Sequence, residues 1–356
     1  MAEESLRRRD GGLINNWYIA CTSEELQKTP ISRTIYEVPF VLFRDEYGKA
    51  ACFADRCIHR AGQLSKGTCV DGKLQCPYHG WTYSSKGCVV GIPSEGKTSK
   101  DPDEPLRPNL KTRSLPCVER DGVVWIWRGD AEPTTPEPVW NFPMSSDPKW
   151  DSYFMITDFD NEVTNLVENF MDVPHTVFVH KGWFRTPSRK RVPIDIDVKD
   201  GSVLVTYDQP NDSIGFTGRL INPSGEKMKH TDQFIYPNIT RVDYHFGAKS
   251  GFIVNSQCTP VREMKTRVFT YIAFQVGRMT PLLGHFMRFY TRRVIEQDVV
   301  IMKNQGDNLQ AHAPEKFKST DADEIHLAVE KLRDMGVEGN SELWNWTKSS
   351  RREFWI

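Results

Sequence analysis

Cys57-Ile58-His59 and, after sixteen intervening residues, Cys76-Pro77-Tyr78-His79-Gly80-Trp81-Thr82-Tyr83 are the segments on which the fold turns. Each offers one thiol and one imidazole, so two facing loops make a two-Cys, two-His donor set. Structural zinc accepts that set tetrahedrally. A 2Fe–2S cluster accepts it with both cysteines on one iron and both histidines on the other. Zinc fingers usually keep Cys with Cys and His with His. Here each half is mixed, as it must be if each loop reaches both irons. Gly62 and Gly67 lie between the halves, where backbone N–H groups can approach bridging sulfides. The spacing therefore favours the cluster over zinc. Neutral imidazole ligands set its potential within about −150 to +300 mV. Such a centre passes single electrons and does not itself activate oxygen.

The flanks on both sides have strand character. Trp17–Cys21, Val38–Phe43 and Gly122–Trp127 alternate or run apolar between turn signals. Residues 91–116 are loop-like, with Pro93, Pro102, Pro105, Pro108 and Pro116. The motif thus sits near the tip of a small all-β domain. Pro133, Pro136, Pro138, Pro143 and Pro148 then forbid a helix or a central strand over 129–150. The expected division is 1–130 and 131–356.

Behind the prolines come a mixed segment over 161–184, strands at 202–207 and 266–274, and a long helix. Thr280 is the expected N-cap of that helix and Pro281 its first residue. A second helix is expected over about 322–335, ending at Gly336. The fold class is α+β, a small all-β domain followed by helices packed on an antiparallel sheet.

This second part carries Glu168-Asn169-Phe170-Met171-Asp172-Val173-Pro174-His175, with His180 five residues beyond His175. Alone, the two histidines read as readily as ordinary core or surface residues. Their i, i+5 spacing needs a helix end or a widened turn between them. A third ligand is available in Asp298. Its helical neighbours Val294, Ile295, Ile301 and Met302 are apolar, and a carboxylate in such a stripe is costly to bury without a cation. Glu296 is weaker because Arg292 stands one turn back to pair with it. Asp307, beside Lys303, reads as solvated. The expected cavity lies between sheet and long helix, near Phe170, Phe178 and Trp183.

Both constellations together, over residues 15–310, resemble the Rieske non-haem iron oxygenase family. One departure is Ile58, where the family commonly carries Pro. The resemblance implies a Rieske 2Fe–2S cluster on Cys57, His59, Cys76 and His79, and a mononuclear Fe(II) on His175, His180 and Asp298. It implies a helix-grip catalytic domain, with Asp172 as a bridge between the iron ligand His175 and a cluster ligand matching His79 on a neighbouring subunit. It also implies a homotrimer, a terminal oxygenase using O2, and a separate NAD(P)H-dependent reductase acting directly or through a ferredoxin. Hydroxylation or O- or N-demethylation of a small aromatic or largely apolar molecule would follow, with monooxygenation ahead of dioxygenation. A Rieske electron carrier without oxygenase activity is the second reading. A non-enzymatic binding protein with a zinc-stabilised β domain is the third.

Composition sets the outer bounds. The formal net charge is −1 over 356 residues, so no global field draws the chain to nucleic acid or to an anionic membrane. No apolar run suffices to span a bilayer. The Arg7-Arg8-Arg9 run stands beside acidic residues and reads as a solvated terminus, with no apolar signal region after it. A cytoplasmic location is expected. Eight cysteines in such a chain favour metal ligation over disulfides. The six outside the motif read as small buried or half-buried side chains.

Overall fold

The computed structural model describes residues 13–355, apart from 100, 102, 136, 137, 139, 141, 143, 185–189, 209–217, 219–220, 223–224, 248 and 313–316. The Arg7–Arg9 run and Pro102, Pro136 and Pro143 lie outside the described residues. The chain divides into two compact units, one of residues 14–141 and one dominated by residues 142–356.

The first unit contains three antiparallel sheets. Strands β1 (Asn16–Thr22), β11 (Val123–Arg128) and β10 (Cys117–Arg120) form one. A second is β2 (Ile31–Ile35), β3 (Val38–Arg44) and β4 (Ala50–Ala54). The third runs in chain order through β5 (Thr68–Val70), β6 (Lys73–Gln75), β7 (Thr82–Tyr83), β8 (Val89–Ile92) and β9 (Lys97–Thr98). The unit extends past residue 130 because the following segment is tied back to the first sheet. Trp127 Nε1 donates to the Ala131 carbonyl at 2.8 Å, Trp17 Nε1 to Thr135 at 3.3 Å, and Arg120 to Pro138 at 2.7 Å.

The second unit is built on one eight-stranded antiparallel sheet in the order β12 (Asp151–Phe159), β18 (Lys265–Val276), β17 (Ser250–Arg262), β16 (Ile239–Phe246), β15 (Met228–Ile235), β14 (Ser202–Tyr207), β13 (Arg191–Lys199) and β19 (Lys348–Trp355). The alternation that marks residues 202–207 as a strand is realised. Val203, Val205 and Tyr207 are buried, while Leu204 and Thr206 are exposed. Among the α-helices that accompany the sheet are α1 (Val163–Met171), α2 (Thr176–Val179), α3 (Thr280–Ala311) and α4 (Glu324–Val337). Helix α1 packs on β15–β17 and against α4, and α3 lies along β12 and β18. Gly284, Met287, Thr291, Asp298 and Met302 make the buried stripe of α3, at the three- and four-residue steps of one helical face.

Two helix boundaries differ from expectation. Thr280 is the first residue of α3 rather than its cap. Its hydroxyl is taken up by the preceding 3-10 turn, accepting from the Val276 N–H at 2.8 Å and donating to the Gly277 carbonyl at 2.9 Å. Gly336 does not end α4. It is needed there because a Cβ at that position would lie 2.3 Å from Tyr236 Oη. The terminating left-handed glycine is Gly339, at φ +67°. No described helix is long and apolar enough to cross a membrane.

Candidate metal centres and the cavity beside them

In the first unit the two motif loops are folded by their own backbones. The Cys57 N–H donates to the Gly62 carbonyl at 2.8 Å, the Cys76 N–H to Trp81 at 2.8 Å, and the Gly80 N–H to Cys76 at 3.0 Å. Gly62 stands at the thiols, since a Cβ there would lie 3.3 Å from Cys76 Sγ. Gly67 does not: its missing Cβ makes room for the Gln75 backbone. Asp55 anchors the first loop. Buried at 5% exposure, it accepts from Ser32 Oγ (2.9 Å), Gln63 Nε2 (3.1 Å), and the Ser65 N–H and hydroxyl (2.7 and 2.6 Å). Nothing in the sequence singled it out, because its partners come from two separate segments, β2 and the turn at 63–65.

Cys57 and Cys76 are buried, whereas His59 is half-buried and His79 exposed. The imidazoles lie 4.7 Å apart, and His59 stacks on Trp81 at 4.5 Å. Burial, and then the neighbouring Cys57, push the Cys76 thiol up, while desolvation and then His79 push His59 down. A buried thiol raised in this way is costly to ionise unless a cation takes it. His59 Nδ1 is buried with no protein partner, as a ligand nitrogen would be. The residues present fit a cluster. Tyr83 Oη completes the surroundings, 3.1 Å from Cys57 Sγ and accepting the Ile58 N–H at 3.1 Å. A proline at position 58 has no N–H to give.

In the second unit, His175 and His180 are the N-cap and C-cap of the one-turn helix α2. The five-residue spacing is thus met by a short helix with a histidine at each end. His175 Nε2 lies 3.3 Å from His180 Nε2 and 3.5 Å from Asp298 Oδ1, and His180 Nε2 lies 3.2 Å from the same oxygen. Ligands about 2.1 Å from one ion and at right angles stand about 3.0 Å apart. The three atoms therefore fit one face of a single ion, the 2-His-1-carboxylate arrangement of non-haem Fe(II) oxygenases. Among the described residues this is the one His/Cys/Asp/Glu cluster so gathered.

Burial alone would raise Asp298 and lower His175. The nearby carboxylates of Asp172 and then Asp298 outweigh this and raise His175 to about 9, while the imidazoles of His175 and His180 hold Asp298 at about 2. Asp172 caps α1 at its C-terminus, with Oδ2 3.6 Å from His175 Nδ1. Two neighbours were not foreseen. Asn169 Nδ2 reaches Asp298 Oδ1 at 3.3 Å, and Gln297 Oε1 lies 2.9 Å from His180 Nδ1. Asn169 stands one helical turn before Val173 in the motif region, but Gln297 carries no sequence signal beyond its place next to Asp298. Glu296 pairs with Arg293 at 3.2 Å on the exposed face, not with Arg292, which donates to Thr157. Asp307 pairs with Lys303 at 2.8 Å and is solvated as expected.

A cavity of about 130 Å³ opens beside these three side chains, comparable to an engineered apolar cavity that admits benzene. Phe159, Phe170, Phe184, Val254, Ile272 and Tyr290 are among its walls. Phe170 is placed as expected. Phe178 and Trp183 are not in it. They are 77% and 38% exposed and line a groove on the outer side of α2 and α3. The aromatic wall that periodicity could not pick out is Phe184, which reaches Tyr244 at 5.9 Å.

Residues 16–115 match the family described as Rieske 2Fe-2S domain, and residues 159–335 that described as vanillate O-demethylase oxygenase C-terminal domain. The oxygenase component of dicamba O-demethylase from Stenotrophomonas maltophilia is 36% identical over 191 residues, 53% of this chain and 54% of that protein. The chloroplastic chlorophyllide a oxygenase of Arabidopsis thaliana is 28% identical over 327 residues, 83% of this chain and 53% of that protein. The chain thus spans about half the length of the curated relatives it matches. Crystalline dicamba monooxygenase bound to 3,6-dichlorosalicylic acid superposes with a TM-score of 0.80 at 23% identity, covering 93% of this chain and 99% of that one. That likeness establishes the fold.

Proposed function

Because the chain belongs to the Rieske non-haem iron oxygenase family, we propose that it is a terminal oxygenase component that hydroxylates or demethylates a small, aromatic or largely apolar organic molecule with O2. The observation that carries this reading is the convergence of His175 Nε2, His180 Nε2 and Asp298 Oδ1 at the wall of an apolar cavity. Cys57, His59, Cys76 and His79 would hold the 2Fe–2S cluster, and His175, His180 and Asp298 the mononuclear iron. Bound there, the cluster supplies single electrons and the iron a site for oxygen activation.

The protein's own residues supply position and dryness. Gln297 accepts from His180 Nδ1–H, which leaves Nε2 as the ligand nitrogen. Asn169 donates to Asp298 and holds its carboxylate toward the histidines. Phe159, Phe170, Phe184 and Tyr290 line the adjoining space with apolar surface, which favours an apolar guest and excludes bulk water.

The assembly we assign is a homotrimer with head-to-tail contacts, fed by a separate NAD(P)H-dependent reductase directly or through a ferredoxin. In support, His79 is exposed on its unit, Asp172 is half-exposed beside His175, and Phe178, Trp183, Phe289, Val300 and Ile301 leave an apolar face in water. Asp172 is the residue placed to link His175 to a neighbouring subunit's His79. We assign a cytoplasmic location, supported by the eight cysteines, none of which is in a disulfide among the described residues.

Single turnover tests the proposal. Holoprotein is chemically reduced and mixed with ¹⁸O₂ and a panel of arenes, methoxyarenes, N-methyl compounds and alicyclics. A labelled hydroxyl, or formaldehyde with a demethylated product, is expected from the wild type and absent from Asp298→Ala, which keeps labile sulfide but loses the mononuclear iron. No oxygen uptake by wild-type protein that contains both iron centres would overturn the reading in favour of an electron carrier.

A further inference from the structure

The sheet register lays the cavity floor out in rows. Thr240, Ser256 and Thr270 are paired across β16, β17 and β18, and Ser256 Oγ stands 3.3 Å from Thr270 Oγ1. The next row is Asp232, Val242, Val254 and Ile272. All seven of these side chains line the cavity. Apart from Asp172 and the three metal-site residues, Asp232 is the only Asp, Glu, Lys, Arg or His among the described lining residues.

Asp232 is built in rather than incidental. It is 2% exposed, yet no cation pairs with it from Lys or Arg among the described residues that line the cavity. The Tyr207 hydroxyl donates to Oδ2 at 2.7 Å, and His230 Nε2 lies 2.8 Å from Oδ1. His230 is itself 2% exposed and is sandwiched between the rings of Tyr207, at 4.0 Å, and Tyr244, at 4.3 Å. Its Nδ1 is buried without a protein partner. The tautomer that strands no buried N–H there puts the proton on Nε2, so the imidazole donates to Asp232. Two donors thus fix the carboxylate, and they use about half of its four or so acceptor positions.

A guest without a donor would bury the remaining lone pairs with nothing to replace water. A guest with an N–H, ammonium or O–H group would complete them. A carboxylate guest would set two anions together in a site of low dielectric. We propose that Asp232, held by Tyr207 and His230, is the specificity-determining anchor of the cavity, and that the substrate presents to it a hydrogen-bond donor, an amine or a hydroxyl, rather than a carboxylate. This rests on the cavity being the oxygenase substrate site.

The test is calorimetric titration of the oxidised holoprotein with 4-methoxybenzylamine, 4-methoxyphenol, 4-methoxytoluene and 4-methoxybenzoate. The amine or the phenol, or both, are expected to bind at least tenfold tighter than the toluene, with the benzoate weakest; which of the two leads identifies a cationic or a neutral donor. In Asp232→Asn, checked for folding by its melting temperature, the amine-to-benzoate affinity ratio is expected to fall at least tenfold. Equal binding across the panel, a preference for the benzoate, or no binding of either donor by the wild type overturns the anchor. Binding involves no turnover, so the two readings fail separately. Donor preference without oxygenation of any bound compound would sink the oxygenase reading alone, and oxygenation without donor preference would sink the anchor alone.

Discussion

Gln297 Oε1 lies 2.9 Å from His180 Nδ1, while the next residue of the same helix, Asp298, lies 3.2 Å from His180 Nε2. Consecutive residues of α3 thus face one imidazole at both nitrogens, Gln297 as its hydrogen-bond acceptor and Asp298 beside its free lone pair. The carbonyl acceptor fixes the proton on Nδ1 and leaves the Nε2 lone pair for a metal. Gln297→Leu is expected to weaken iron retention by about 10- to 100-fold. Competition with a chelator measures it, with labile sulfide as the control for the cluster. Unchanged retention would remove Gln297 from any positioning role.

Asp172 Oδ2 stands 3.6 Å from His175 Nδ1, too far for a direct hydrogen bond but close enough to be drawn in by a partner. Asp172→Ala is expected to keep sulfide and both kinds of iron while nearly abolishing turnover. The rate at which a chemically reduced cluster reoxidises with substrate and O2 is the direct readout. Wild-type turnover in the Ala variant would end the bridging assignment.

Tyr83 Oη reaches Cys57 Sγ at 3.1 Å in a buried setting. A hydrogen bond to a ligating sulfur favours the reduced, more anionic cluster. Tyr83→Phe should therefore lower the potential, by about 60 mV if the bond is worth about 1.4 kcal/mol. Spectroelectrochemistry reads the shift, and a rise would contradict the donor role of the phenol.

Glu324 is held below the usual glutamate range. Burial would raise it, but hydrogen bonds from Lys348, at 2.6 Å, and Ser350, at 2.8 Å, and the charge of Arg352 outweigh that. A carboxyl depressed in the folded state stabilises above its unfolded pKa of about 4.3 and loses that contribution as pH falls through the folded value. Glu324→Gln should thus lower the melting temperature by about 2 °C or more at pH 7. The gap to wild type should close below about pH 4. A gap that widened in acid would show that the pair with β19 is not what the charge supports.

The sequence by itself determined the candidate donor sets of both centres. Ligand types and their close spacings are local properties, so Cys57, His59, Cys76 and His79 could be read as one donor set before any fold was known. Asp298 was legible for a related reason: an acid at a position of the α3 stripe that is otherwise apolar is a conflict within one helix, visible from its own neighbours. Strand and helix types followed from periodicity over the same short range. Tertiary structure alone decided what depends on elements far apart in the chain. It joined His180 to Gln297, tied Asp55 to Ser32, and spent Gly336 on Tyr236 rather than on ending α4. It also turned Phe178 and Trp183 outward, set Phe184 in the cavity, and brought Tyr207 onto Asp232. Those contacts are fixed by sheet register and by the angle at which helices cross the sheet. They are sums over many weak packing terms that leave no mark at any single position.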